Sequence, residues 1–217
     1  MGNVLTVNVA QLQTNPDPKG GPTGINKRPV DDVVTVRAPG PRKGGLGSAL
    51  VGDAIGNPKF HGGDDQAVYA YAREDLDEWE TTLERTLVNG QFGENLTTSG
   101  VEVTQARIGE RWRIGSGGVL LEVTSPRTPC RTFAAWLDRR GWMKAFTAAA
   151  VPGAYFRVIE SGTVGKGDEI EVIDRPDHEV TVGLVFRAMT TEPELLPGIL
   201  AADALPEAIK KLARRRS

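Results

Sequence analysis

Short apolar runs separated by turn residues dominate the first 175 positions of the chain. Residues 4–9, 33–36, 102–108, 111–114, 119–124, 155–160 and 169–173 are rich in β-branched side chains, and Gly, Asp or Ser flanks most of them. That is the signature of strands. Many short strands must hide their edges, so this spacing predicts a mostly antiparallel sheet closed on itself into a barrel. Ser161-Gly-Thr-Val-Gly-Lys-Gly167 reads as a hairpin connection and Gly115-Ser-Gly-Gly118 as a second turn. The latter is a weak phosphate-loop candidate, because no helical pattern follows it.

Two helical stretches interrupt this pattern. Asp64 or Asp65 is placed to cap a helix running to about residue 88, since Val68, Tyr71, Leu76, Trp79, Leu83 and Leu87 recur near helical spacing. A second, over 133–149, follows directly on a cysteine. After Asp174-Arg-Pro-Asp-His178 the composition changes, and 180–189, 194–202 and 206–215 read as three short helices. Pro193 and Pro206 punctuate them, since proline disfavours helix in the preceding residue and fits a first helical turn. The expected architecture is a β-barrel domain over 1–175 with inserted helices, then a small three-helix segment over 176–217.

The chain has 217 residues, 39% hydrophobic and 25% charged, with a formal charge of −2. This composition is ordinary for a folded water-soluble protein and gives no global electrostatic reason to expect nucleic acid or an anionic membrane as partner. No apolar run approaches the roughly 20 residues that cross a bilayer. The first residues lack the basic region and long apolar stretch of a secretory signal, so a cytoplasmic location is expected. The segment 16–47 is poor in apolar residues and rich in Gly, Pro, Lys and Arg. Composition alone makes it a mobile surface loop; a lid or anion-binding edge is the functional alternative.

Cysteine usage changes the picture more. One cysteine, with His61 and His178 beside it, leaves no disulfide framework and no self-contained iron–sulfur cluster, and argues against structural zinc. Redox chemistry here would need electrons from a bound cofactor or another protein. That one cysteine, Cys130, lies between Arg127 and Arg131, follows a predicted strand and opens a predicted helix. Nearby guanidinium groups favour a thiolate, which is both a nucleophile and a soft-metal ligand. Pro126 and Pro129 stiffen the segment that presents it. Against this, lone cysteines are more often buried small hydrophobes.

Four segments together resemble one family, the MOSC domain, named for the C-terminus of molybdenum-cofactor sulfurases. They are Val51-Gly-Asp53 with Phe60-His-Gly-Gly-Asp64; Phe92-Gly-Glu-Asn-Leu-Thr97; Ile108-Gly-Glu-Arg-Trp112 leading into Ser125-Pro-Arg-Thr-Pro-Cys130; and Gly153-Ala-Tyr-Phe-Arg157 with Gly165-Lys-Gly-Asp168. Their order is similar to the bacterial subfamily that reduces 6-N-hydroxylaminopurine and related N-hydroxylated bases, over roughly residues 20–175. The resemblance implies a closed barrel of the pyruvate-kinase β-barrel kind and a molybdenum cofactor (Mo-molybdopterin) with Cys130 as metal ligand. It implies that Ser125 and Arg127 face the pterin and its phosphate, that Asn95 reads a pterin edge, and that Lys27 reaches the phosphate from the N-terminal loop. His61 and Asp64 have two readings. They are site groups at the cofactor mouth, with His61 a proton source near neutral pH, or they are structural, with Asp64 capping a helix. Arg131 touches substrate or faces solvent.

The implied activity is reductive dehydroxylation of an N–OH compound, with an external electron donor, a reductase or ferredoxin-like protein, as partner. The other reading is a cofactor or sulfur carrier without turnover of its own; a barrel whose cysteine is merely buried is the third. The appended helices could pair two chains as a homodimer. The acidic residues at 74, 75, 77, 78 and 80 are expected on a solvated helix face, and so is the basic run at 214–216. Trp112, Trp136 and Trp142 are expected in the core or in a pocket wall.

Overall fold

The computed structural model describes residues 2–216. Its strands are β1 (Gly2–Val9), β2 (Arg28–Val30), β3 (Val34–Val36), β4 (Val68–Ala72), β5 (Leu96–Ser99), β6 (Arg111–Ile114), β7 (Val119–Pro126), β8 (Ala154–Glu160), β9 (Gly162–Val164) and β10 (Glu169–Asp174). Its helices are α1 (Arg73–Leu83), α2 (Arg131–Leu137), α3 (Trp142–Ala149), α4 (Val182–Thr190), α5 (Leu196–Ile199) and α6 (Glu207–Arg216). Among the described residues seven strands close a barrel in the order β10-β6-β7-β8-β4-β5-β1, with β1 returning to β10 and β2 attached to β1. The β4–β5 pairing is parallel, and its neighbours around the barrel are antiparallel, so the closed barrel is mixed. No helix is long and apolar enough to cross a membrane.

The expected helix from residue 64 to 88 is corrected. A single 3-10 turn covers Asp64–Gln66, β4 follows, and only then does α1 run. Within β4, Val68, Ala70 and Ala72 point into the barrel core while Tyr69 and Tyr71 enter a second, aromatic cluster outside it. The period is therefore two. Both faces are buried, which hides the polar alternation that would have marked a strand.

Other elements differ locally. The expected strand at 102–108 is a series of turns, with Ile108 N–H donating to Val180 O and an isolated bridge between Arg107 and Thr181. The expected helix at 133–149 is two helices, because Asp138 (φ 46°) and Gly141 (φ 76°) take left-handed backbone between them. The expected connection at 161–167 contains β9, which pairs with β3.

Two clusters stabilise the molecule. Trp112 packs on Phe156 inside the barrel, with ring centroids 4.7 Å apart. Residues of the C-terminal helices, among them Val182, Val185, Leu196, Ile199 and Ala213, belong to this same buried cluster. The second cluster, with Trp79, Phe92, Phe133, Trp142 and Phe146 at its centre, fills the space between the barrel wall and α1–α3. The Trp79–Trp142 and Phe92–Phe133 rings meet edge-on at 4.7 and 5.1 Å, geometry favoured by the ring quadrupoles. Arg214 and Arg215 are exposed; the side chain of Arg216 lies outside the described residues.

Candidate functional site: a cationic cavity beside Cys130

A cavity of about 720 Å³ opens where the end of β7 meets the loops before β2 and β4. Strand β7 is buried throughout, which fixes where its last residues emerge. A register shift between Val123 and Ser125 sets Ser125 opposite Tyr155 of β8, and such bulges commonly re-aim side chains. Ser125 and Tyr155 both line the cavity. Arg127 and Cys130 follow on the segment leading to α2, where Cys130 is the N-cap residue in extended conformation. The thiol is half-exposed, packed on one side by the aromatic cluster and bordered on the other by the cavity. It is not sealed in hydrocarbon.

Arg127 is the centre of the electrostatics. It is buried, donates from Nη1 to Phe92 O, and lies 3.7 Å over the Phe133 ring and 5.3 Å over the Tyr69 ring. Among the described residues no carboxylate comes within 4.0 Å of it. A buried cation without an acid partner is costly unless a ligand anion completes it. The same wall carries Lys19, Lys27 and Arg131, against a single carboxylate, Asp17. Arg131 pairs with that Asp17 at 2.9 Å.

Lys27 is buried and ion-paired with Asp53. The Asp53 carboxylate also accepts from Ala10 N–H (2.8 Å), Ser48 Oγ (2.6 Å) and Asn95 Nδ2 (3.0 Å). Asp53 enters the sequence reading only as part of the Val51-Gly-Asp53 segment. It closes a tight turn, its N–H donating to Leu50 O, and that local setting gives no hint of a partner 26 residues away. Asn95 lines the cavity, yet its amide is largely committed: Nδ2 donates to Asp53 and to Asn8 O, and Oδ1 accepts from Tyr69 N–H. Its main task is to knit the loop after Phe92 to β1 and β4. Glu94, fully buried, accepts from Gly90 N–H, Phe92 N–H and Thr97 Oγ1. Burial raises its pKa against the pull of those donors.

His61 lines the cavity and Asp64 does not. Burial, then Arg127, Arg42 and Lys27, lowers the His61 pKa to about 4, so the ring is neutral at pH 7 and does not supply a proton as imidazolium there. Asp64 is exposed and accepts from Gly40 N–H at 2.9 Å; Gly63 is the residue that precedes the 3-10 turn, without a side-chain cap. Trp112, Trp136 and Trp142 are absent from the wall, and Trp136 Nε1 donates to Gln91 O. The segment 16–47, whose composition favoured a surface loop, supplies much of that wall, from Asp17 to Lys27. It runs backbone to backbone against residues 54–56, and a Cβ at Gly24 or Gly56 would collide with Ala54 O or Pro22 O.

Two wall residues were missed by sequence reading. The phenol of Tyr155 has no hydrogen-bond partner among the described residues, and its pKa is raised chiefly by burial. Gln66 keeps Oε1 buried and unpartnered. Tyr155 sits in a segment that carries the family resemblance and Gln66 two residues beyond another, and nothing local at either position points to a cavity.

An orphaned acceptor, an unpaired guanidinium and an accessible thiol in one cavity fit an anionic, N–H-bearing ligand held partly by sulfur. Among the described residues no three His, Cys, Asp or Glu side chains converge to hold a metal alone. A metal at Cys130 would have to arrive with its own chelator, as a pterin dithiolene provides. The residues present fit that group.

Comparison with known proteins agrees with this architecture. Residues 57–171 match the family model of the MOSC domain. The chain is 32% identical over 186 residues to YflK of Bacillus subtilis (strain 168), covering 85% of this chain and 79% of that one. It is 30% identical to a protein of Gibberella moniliformis named "Reductase", over 89% of this chain but 37% of that longer protein. The crystal structure of YiiM from Geobacillus stearothermophilus superposes with a TM-score of 0.78 at 23% identity, covering 100% of this chain and 99% of that one. From the matched segment and these relatives, the chain belongs to the MOSC domain family, a family associated with the molybdenum cofactor, and to its bacterial YiiM-like branch.

Proposed function

We propose that this protein is a molybdenum-cofactor-dependent reductase of N-hydroxylated compounds, hydroxylaminopurine-like bases being the substrate class, with Cys130 as the metal ligand. The observation that carries this reading is the juxtaposition of an accessible Cys130 and a buried, acid-free Arg127 in one cavity. Bound there, the cofactor would supply the two-electron chemistry that removes oxygen from an N–OH group. The chain's own residues do the rest. Arg127 would hold the cofactor phosphate, its guanidinium fixed by stacking on Phe133 and by donation to the Phe92 carbonyl. Lys27, fixed by Asp53, adds a second cation without being free to swing away. Ser125 and Tyr155 present hydroxyl groups to the cavity that Cys130 also lines, and Gln66 would offer an acceptor for a pterin N–H. Neutral His61 lines the mouth as a donor or acceptor, not as a charge.

The name of the fungal relative supports a reductase over a carrier. A lone accessible thiol would also suit a sulfur carrier, which a persulfide on Cys130 without N–OH reduction would reveal by mass spectrometry. A cytoplasmic setting suits either, since an unpaired thiol there stays reduced.

The test is Cys130→Ala in protein made in a cofactor-competent host. Molybdenum per chain and N-hydroxylaminopurine reduction with a chemical reductant should both fall to background. Wild-type molybdenum and turnover in that variant would end the proposal.

A further inference from the structure

We propose that the loop over residues 14–22 is a clasp that closes behind the cofactor and sets how long it stays bound, with Asn15 and Asp17 as positioning residues that latch it. This rests on the reductase reading. Gln13 and Thr23 pair backbone to backbone in both directions, at 3.0 and 2.9 Å, and so pinch the loop at its base. Inside the loop, Asn15 Nδ2 donates to Gly21 O, Asn15 Oδ1 accepts from Asp17 N–H, and Asp17 Oδ1 accepts from Lys19 N–H. These bonds brace the tip, so it swings as one piece.

Among the described residues, both side-chain hydrogen bonds that leave the loop run to the two residues directly after Cys130. Asp17 accepts from Arg131 Nη2 at 2.9 Å, and Asn15 Nδ2 donates to Thr132 Oγ1 at 3.0 Å. Asn15, Asp17, Lys19, Gly20 and Gly21 line the same cavity as the thiol. One edge of that cavity is therefore a loop latched to the segment that presents the metal ligand. Arg131, which the sequence left between substrate and solvent, has its charge spent on this latch. The two ion pairs of the cavity wall differ in the way a fixed side and a moving side should. Lys27–Asp53 is closed to water, at 6% and 0% exposure, and so is permanent. In Arg131–Asp17 the arginine side chain is 60% exposed. A pair that open to water contributes little and is screened by salt, which suits a contact that must break and re-form. Releasing it frees the tip without touching Arg127 or Lys27, since among the described residues neither bonds to the loop.

Two measurements read the clasp, neither of them turnover. Lys19 is exposed at the tip, so trypsin cleavage after it, followed by mass spectrometry, reports how often the loop opens. Pterin fluorescence after dilution of cofactor-loaded protein reports release. Wild type, Asp17→Asn, Thr132→Val and the double variant are compared. Each single variant is expected to be cut, and to release pterin, about three- to fivefold faster than wild type, and the double on the order of tenfold faster. High salt should move wild type toward Asp17→Asn, and bound cofactor should slow cleavage of wild type. The urea midpoint should stay at the wild-type value. Cleavage and release at wild-type rates in the double variant overturn the proposal, and so does faster cleavage with unchanged release. A urea midpoint that falls in step in both single variants also overturns it, because the contacts then hold the fold and not the ligand. Wild type that takes up no cofactor strikes the reductase reading instead, and is told apart because cleavage of the free protein still depends on Asp17 and Thr132.

Discussion

Lys27 and Asp53 form a buried ion pair although 26 residues separate them, and neither is exposed by more than 6%. Asp53 takes three further donors from Ala10, Ser48 and Asn95, so one carboxylate ties β1, the loop after β3, the loop before β5 and the cavity lysine together. Removing its charge leaves a buried ammonium uncompensated. Asp53→Asn is expected to cost about 3–5 kcal/mol in urea unfolding. Combining it with Lys27→Met should recover part of that loss. A double variant no better than the single would show that the other three donors, and not the lysine, carry the cost.

His61 gives a pH signature. Its folded pKa of about 4 lies below the ordinary 6.5. Between those values the unfolded chain binds a proton that the folded chain does not, so stability falls as pH drops from about 6.5 to about 4 and is fully present above 6.5. The side chain is only half-buried, so screening trims the effect to about 1–2 kcal/mol. His61→Gln should flatten the unfolding free energy across that window. A ring that titrates near 6.5 by NMR would contradict the burial and the three nearby cations.

Glu94 acts on the site through the chain. Its carboxylate holds Gly90 N–H and Phe92 N–H, and the Phe92 carbonyl in turn accepts from Arg127. Glu94→Gln replaces an acceptor oxygen with a donor facing those N–H groups. A loss of about 2 kcal/mol in stability is expected. Retained molybdenum should fall along with it, because Arg127 loses its support. Unchanged molybdenum content in a folded Glu94→Gln protein would detach Glu94 from the site.

Much of this was written locally along the chain. Residues 119–124 read as a strand because the run is mostly apolar and partly β-branched; β7 extends it to Pro126, and the thiol follows in the segment Ser125-Pro-Arg-Thr-Pro-Cys130. Strand β4 was not legible. Tyr69 and Tyr71 are apolar on the outer face because an aromatic cluster covers them, so no polar alternation separates a strand from a helix there. The N-terminal wall of the cavity was hidden for a different reason. Its Gly- and Pro-rich composition is what a loose loop would also show; only the contact of residues 22–24 with 54–56 distinguishes it.

The sequence by itself determined a barrel of short strands, a single thiol and a basic neighbourhood around it, because strand periodicity, cysteine count and residue charge are local quantities. Tertiary structure decided the rest. Which cations are neutralised, which amides are spent and which side chains stay open depends on contacts between distant segments. Lys27 acquires Asp53, Asn95 loses its free donors, and Arg127 is left buried without an acid among the described residues. Burial sets the cost of each such group, and burial is a property of the closed fold.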